Sequence, residues 1–128
     1  MNIEIDGLSD AINQELTIYA KHVTDGIKSE TKKSMKQLVD KTKATAPVGK
    51  RYRHYKDSIA SRKESEDDRS VKYLWYVKGS DYRLSHLLNN GHALRNGGRV
   101  NGTKFISKAH DEVVAKYQEN IKKVIENG

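Results

Sequence analysis

The sequence contains no cysteine and only one proline, Pro47. Without cysteine it has no disulfide framework and no thiolate chemistry, so packing of apolar side chains must hold the fold together. No run approaches the ~18 consecutive apolar residues of a membrane helix. The acidic N-terminus also lacks the basic and apolar regions of a signal peptide. We therefore expect a protein made in the cytoplasm, with no membrane partner.

Aromatic residues make up only 7% of the chain, whereas charged residues make up 32% and give a formal net charge of +7. In 128 residues this composition predicts a single domain, 1–128, with a thin core and a broad solvated surface. A basic balance favours a polyanionic partner, but lysines spread over solvated helix faces produce the same charge. Composition alone leaves both interpretations open.

Apolar residues recur every three or four positions from Leu8 to Val39, which predicts a long amphipathic helix over 8–46. Alternation in residues 3–5 predicts a short extended segment before it. Gly26 lies inside the helical stripe, where the sequence fits either one bent helix or two helices that meet, and we favour one. Pro47 disfavours helical geometry in the residue before it, so the helix should end there.

Strict alternation over Val71–Val77 predicts a strand whose apolar face packs on the long helix, in an antiparallel hairpin with the segment before it. The run LSHLL that follows fits a strand or a helical turn; we favour a strand, which places strands across 55–90. Asparagine and glycine pairs predict a long, mobile, glycine-rich loop over 89–103. A second amphipathic helix should cover 108–126. The predicted fold class is α+β.

Candidate catalytic and ligand-binding residues do not form a recognised set. The five histidines match no zinc spacing. Ser85 and His86 would face opposite sides of a strand and could not share a proton. Gly49 and Lys50 lack the second glycine and the hydroxyl of a phosphate-binding loop. We predict no enzyme, no metal and no cofactor.

The loop 89–103 is the predicted contact region. Its basic side chains could contact phosphate, but no aromatic residue in the loop could stack on bases. The favoured alternative is a segment that becomes ordered against a neighbouring subunit. The predicted contact residues in or beside this loop are Asn89, Asn90, His92, Arg95, Arg99 and Lys104.

Three short motifs, in a consistent order, resemble the tail-completion or head-tail joining proteins of long-tailed bacteriophages. The first is Ala46-Pro47-Val48 with the later Lys56-Asp57-Ser58-Ile59, the second is His86-Leu87-Leu88 with Gly91-His92, and the third is Phe105-Ile106 with Ala109-His110. The resemblance covers most of residues 8–125. It rests on the conjunction of the three motifs, since each one is short.

The resemblance implies an α+β protein with a long N-terminal helix and a C-terminal helix packed on an antiparallel sheet. It also implies a structural virion protein at the junction of head and tail, acting as a subunit of a homo-oligomeric ring, expected to be a hexamer. The implied partners are the connector or stopper and the tail tube, and DNA passing the ring could contact its basic surface. Assembly would take place in the host cytoplasm. The alternative is a small basic nucleic-acid-binding protein that uses the helix lysines and segment 49–55.

Overall fold

The computed structural model describes the backbone of residues 2–47 and 54–127, and the side chains of residues 7–47 and 54–127. Motif residue Val48 and the Gly49-Lys50 pair therefore lie outside the described residues. Of the basic segment 49–55, only His54 and Tyr55 are described.

One helix, α1 (Asn2–Thr45), makes up the first third of the chain. It confirms the predicted long helix and runs through Gly26 without a break. Thr31 interrupts the apolar stripe, but its hydroxyl bonds to the carbonyl of Ile27 and the phenol of Tyr117, each at 2.8 Å. The extended segment predicted for residues 3–5 is wrong, because these residues form the first turn of α1, where their carbonyl groups accept hydrogen bonds one turn farther along the helix.

The C-terminal helix, α4 (Phe105–Asn127), packs antiparallel along α1 and confirms the predicted second helix. At one end of the pair, the Tyr19 phenol donates to the carbonyl of Ile125 at 3.0 Å. Between the ends, Gly26 lets the helices approach, because a Cβ built there would lie 2.6 Å from Cγ1 of Val124. The glycine inside the helix therefore has a packing role that compensates for its low helix propensity.

A hairpin of β1 (Ile59–Glu66) and β2 (Val71–Val77) covers another side of α1, as predicted. The strands pair antiparallel, with a bulge between Lys63 and Ser65. The indole N–H of Trp75 donates to the hydroxyl of Thr42, a fully buried α1 residue, at 3.1 Å. The apolar strand face thus packs on the long helix, in agreement with the sequence.

The remaining elements are short and surround the core at the C-terminal end of α1. They are α2 (Tyr55–Ser58), a 3₁₀ turn (Gly79–Asp81), α3 (Tyr82–Asn90), β3 (Gly91–Ala93) and β4 (Arg99–Asn101). The buried apolar residues that form this cluster are Ala46, Tyr55, Ile59, Val77, Leu88 and Phe105. The fold class is α+β: two long helices with two small antiparallel sheets.

Two expectations for residues 82–103 are wrong. The segment predicted to form a third strand is instead the helix α3. In this helix Leu84 and Leu88 lie one turn apart, and both pack in or against the core. Helical geometry also lets the Ser85 hydroxyl bond to the buried phenol of Tyr55 at 2.6 Å. The long irregular loop is instead a short hairpin in which β3 pairs antiparallel with β4.

The first part of α1 extends past the end of α4. Because Tyr19 is level with Ile125, residues 2–18 form what we call the α1 extension, ~25 Å long at ~1.5 Å per residue. Residues 7–22 are all exposed. Within the described part of the chain, no helix is long and apolar enough to cross a membrane.

Candidate subunit interface

The predicted contact residues lie on or beside the hairpin 91–101, at the end of the molecule where the core is located. Asn89 and Asn90 form the last turn of α3, His92 lies on β3, Arg95 in the connecting turn, Arg99 on β4, and Lys104 just before α4. The structure therefore brings all six to one region of the fold.

Asn89 is buried, and its side chain joins α3 to the start of α4. Its Oδ1 accepts hydrogen bonds from the backbone N–H groups of Ile106 at 3.1 Å and Ser107 at 3.2 Å. The first N–H groups of a helix have no partner within the helix, so Asn89 supplies acceptors that α4 lacks. Its Nδ2 donates to Oδ1 of Asn90 and to the Ser107 hydroxyl. The residue is therefore fully bonded within its own subunit.

Two glycines allow the hairpin to approach the end of α3. Gly91 ends α3 with φ of 80°, a conformation that favours glycine, and a Cβ there would lie 2.3 Å from the carbonyl oxygen of Val100. A Cβ on Gly102 would lie 2.3 Å from the carbonyl oxygen of Asn89. The Gly91-His92 motif thus has a geometric basis: the glycine ends one helix and starts the strand.

The basic residues of the region divide into bonded and outward-facing groups. Arg99 donates from Nη2 to the carbonyl of Asn90 at 3.0 Å, and Lys104 donates from Nζ to Oδ1 of Asn90 at 3.1 Å. Arg95 lies exposed in the turn. Exposed apolar side chains accompany these charges here, namely Tyr82, Leu87, Leu94 and Val100.

The histidines of this region have separate partners. His86 bonds through Nδ1 to the side-chain amide of Asn90 at 3.0 Å, one helical turn away. His92 lies 3.3 Å from the carbonyl of Ala93, and His110 lies 3.3 Å from Asp111. Among the described side chains, those of residues 7–47 and 54–127, no group of three or more histidine or acidic residues could hold a metal ion.

Several lysines near the hairpin β1–β2 and on α1 are paired with acids. Lys28 bonds to Glu66 at 3.2 Å and to the carbonyl of Asp67. Hydrogen bonds from Lys63 and then Lys28 lower the pKa of Glu66. Backbone N–H groups of the β1–β2 turn, with the Ser70 hydroxyl, lower the pKa of Asp67. Part of the positive charge is therefore neutralised within the subunit.

A second candidate surface, the α1 extension, was not among the predicted contacts. Its stripe of Leu8, Ile12 and Leu16 is 63%, 50% and 59% exposed. These residues continue the α1 face that α4 covers farther along, at Tyr19 and Gly26. The predicted helix lengths did indicate this surface. The first predicted helix is about twice as long as the second, so part of the apolar stripe of the first had to lie beyond the end of the second.

The family comparison agrees with the motif resemblance. A family model described as "Bacteriophage HK97-gp10, putative tail-component" matches residues 10–91, from α1 to the start of β3. No curated protein and no solved structure matches the chain.

Proposed function

The chain belongs to the HK97-gp10-like family of bacteriophage tail components, and from that premise we propose that it is a structural virion protein of the head-tail junction. In this role it is a subunit of a homo-oligomeric ring, a hexamer, that completes the tail or joins it to the head connector. Its other partners are the connector or stopper and the tail tube, with DNA passing the ring.

Exposed apolar side chains at two separated places on the subunit support a ring. One set lies on the α1 extension at Leu8, Ile12 and Leu16, and the other lies near the hairpin at Leu94 and Val100. Along α1 these places are separated by roughly 30 residues, or ~45 Å at ~1.5 Å per residue. Two separate surfaces at opposite ends let a subunit contact a neighbouring copy through one and another tail protein through the other, as a ring subunit does.

In this proposal the six predicted contact residues have two different roles. Four of these residues are bonded to one another or to α4, so they would fix the conformation of the hairpin. They are Asn89, Asn90, Arg99 and Lys104. Arg95 is exposed, and His92 is half-exposed. In this proposal the turn and the outer side of the hairpin make the contact with the connector or the tail tube.

Deleting the gene from its phage tests the proposed role. We expect full heads and complete tails that stay separate under negative-stain electron microscopy, with joining restored by the wild-type gene supplied in trans. Normal virions from the deletion mutant would refute a role at the junction. Empty heads or absent tails would also refute it, since they indicate an earlier step of assembly.

A pair of variants tests the hairpin as the contact. Val100→Glu places a charge on an exposed apolar position of β4, whereas Ala115→Glu makes the same kind of change on the exposed side of α4. We expect Val100→Glu to fail in trans complementation and Ala115→Glu to succeed, with equal circular dichroism for the two purified proteins. Equal complementation would remove the hairpin from the proposed interface.

The alternative, a basic nucleic-acid-binding protein, rests on the net charge of +7. Lys28, Lys33 and Lys41 on α1 each form an ion pair with an acidic side chain of the same subunit. A gel-shift titration at increasing salt separates the two functions. Tight binding with a steep loss of affinity as salt rises would favour the alternative, because released counterions drive such binding.

A further inference from the structure

An apolar groove runs between α1 and α4, a few turns away from the α1 extension along the helix pair. It has a volume of about 250 Å³ and is lined mainly by carbon atoms. The main apolar lining residues are Met35, Leu38, Val113, Val114 and Tyr117. The hydroxyl of Thr31, also at the groove, is already bonded to Ile27 and Tyr117, so it presents no unpaired polar group. Such a groove suits an apolar helix face.

The α1 extension carries an apolar stripe whose length suits the groove. Ile12 and Leu16 lie on one side, ~6 Å apart along the axis, and the groove follows α1 from Thr31 to Leu38, ~10 Å of helix. The bare stripe continues the face that α4 packs against within the subunit. A helical surface of this kind therefore already packs against another helix in this fold.

Charge distinguishes between the surfaces that could cover the stripe. Residues 2–20 contain four acidic residues and no lysine or arginine, whereas residues 21–45 contain seven lysines and three acidic residues, a net charge of +4. Pairing two extensions side by side would bring acidic segments together, and like charges disfavour that contact. The second half of α1 in a neighbouring copy forms the base of the groove. Its net charge is opposite in sign to that of the extension.

We propose that the α1 extension of one copy packs in the α1–α4 groove of a second copy of this chain, with Ile12 and Leu16 on the groove's apolar side chains. The contact joins different surfaces on the two copies, so each subunit both donates an extension and receives one. It thereby supplies the heterologous interface of the ring proposed above, on which it rests.

Cysteine crosslinking tests this contact directly, because the natural chain has no cysteine. Ile12→Cys labels the stripe and Val114→Cys labels the groove. Ile18→Cys is the matched control, since Ile18 is also exposed but lies about 120° around the helix from Ile12. Each variant is oxidised alone and in equal mixtures at low salt, and the products are separated on a non-reducing gel.

We expect the Ile12→Cys and Val114→Cys mixture to give several-fold more crosslinked dimer than the Ile18→Cys and Val114→Cys mixture. Crosslinking of Ile12→Cys alone at the same level would show that two extensions pair with each other and would overturn the proposal. Equal yields from both mixtures, or no crosslink in any mixture, whether free or in purified virions, would overturn it as well.

Variants without cysteine give a second measure. Ile12→Gln with Leu16→Gln should abolish self-association in sedimentation velocity, as should Val114→Glu, whereas Ile18→Gln and Ala115→Glu should associate as the natural protein does. A mixture of the two defective proteins retains one intact extension and one intact groove, so it should form dimers and nothing larger. A mixture that stays monomeric would refute the head-to-tail arrangement.

The two proposals can fail separately. If the crosslink forms but deletion of the gene leaves virions normal, copies of the chain associate as inferred and the role at the head-tail junction is wrong. If deletion separates heads from tails but no mixture crosslinks, the role remains and this contact is wrong.

Discussion

Replacing Asn89 with alanine should destabilise the protein through the start of α4. The side chain is 9% exposed and accepts from the N–H groups of Ile106 and Ser107. Loss of a helix cap costs about 0.5–2 kcal/mol. A buried N–H left without an acceptor costs about 1–3 kcal/mol. The two estimates concern the same groups and are not added, so we expect Asn89→Ala to lower the free energy of unfolding by about 1–3 kcal/mol.

Asn89→Asp separates the lost acceptor from the lost packing. A carboxylate keeps both acceptor positions and lies at a helix N-terminus, where negative charge is favourable by about 0.3–1 kcal/mol. It loses the two hydrogen bonds that Nδ2 donates, but the Ser107 hydroxyl can turn to donate to the carboxylate, and Lys104 still donates to Asn90. We expect Asn89→Asp to remain within about 1 kcal/mol of the natural protein.

Urea unfolding of the natural protein and both variants provides the measurement, followed by helical circular dichroism and by the fluorescence of Trp75, the single tryptophan. The expected order of stability is natural protein, then Asn89→Asp, then Asn89→Ala. If aspartate proves as destabilising as alanine, the acceptor argument fails. An alanine variant as stable as the natural protein would show that the α4 N–H groups find other partners.

Three further predictions concern other parts of the subunit. Thr42→Val should cost about 1–2 kcal/mol and change the fluorescence of Trp75, because the indole N–H loses its acceptor. Gly26→Ala should clash with Val124, and adding Val124→Ala should relieve the clash, giving a coupling energy of about 1–2 kcal/mol in a double-mutant cycle of urea unfolding. Because Asp67 has a lowered pKa in the folded state, its contribution to stability is present above its ordinary value of 3.8 and is lost as pH falls through the lowered value. Asp67→Asn should therefore reduce the loss of unfolding free energy as pH falls from 3.8 through the lowered pKa of Asp67.

Matched variants serve as controls for two of these predictions. Thr45→Val removes an exposed hydroxyl on α1 that bonds only to a carbonyl one turn back, so it should leave the fluorescence of Trp75 unchanged. Asp68→Asn changes the neighbouring exposed carboxylate and should keep the acid dependence of the natural protein. Equal effects from control and test variants would remove the contacts assigned to Thr42 and Asp67.

The sequence predicted the elements whose pattern is long. Both amphipathic helices carry their stripe over several turns, and alternation over Val71–Val77 identified β2 and the face that contacts α1. The sequence did not predict α3, because the five-residue run LSHLL fits both the two-residue period of a strand and the 3.6-residue period of a helix. The deciding contacts, Leu88 in the core and Ser85 on Tyr55, come from residues distant in the chain.

The position of the contact region stays a prediction, and the local structure around its six residues was not predicted in detail. The hairpin lies where the glycines indicated a loop, and the six predicted residues lie together. Sequence could not show that Asn89 faces inward, because its partners Ile106 and Ser107 lie on another helix. Nor could it show how much of α1 is covered, since that depends on where α4 ends along it.

The length difference between α1 and α4 also has a consequence for the helix-coil equilibrium. Even alanine-rich helices are marginal in water below about 12–15 residues, and the α1 extension, with 17 residues, is only slightly longer and has little to pack against. Its amides should therefore exchange faster toward the N-terminus, while those beside α4 stay protected. A neighbour that binds this segment must first fix its helical conformation. In the proposed ring, the cost of that ordering would weaken each contact, so an incorrectly joined subunit could leave before the ring closes.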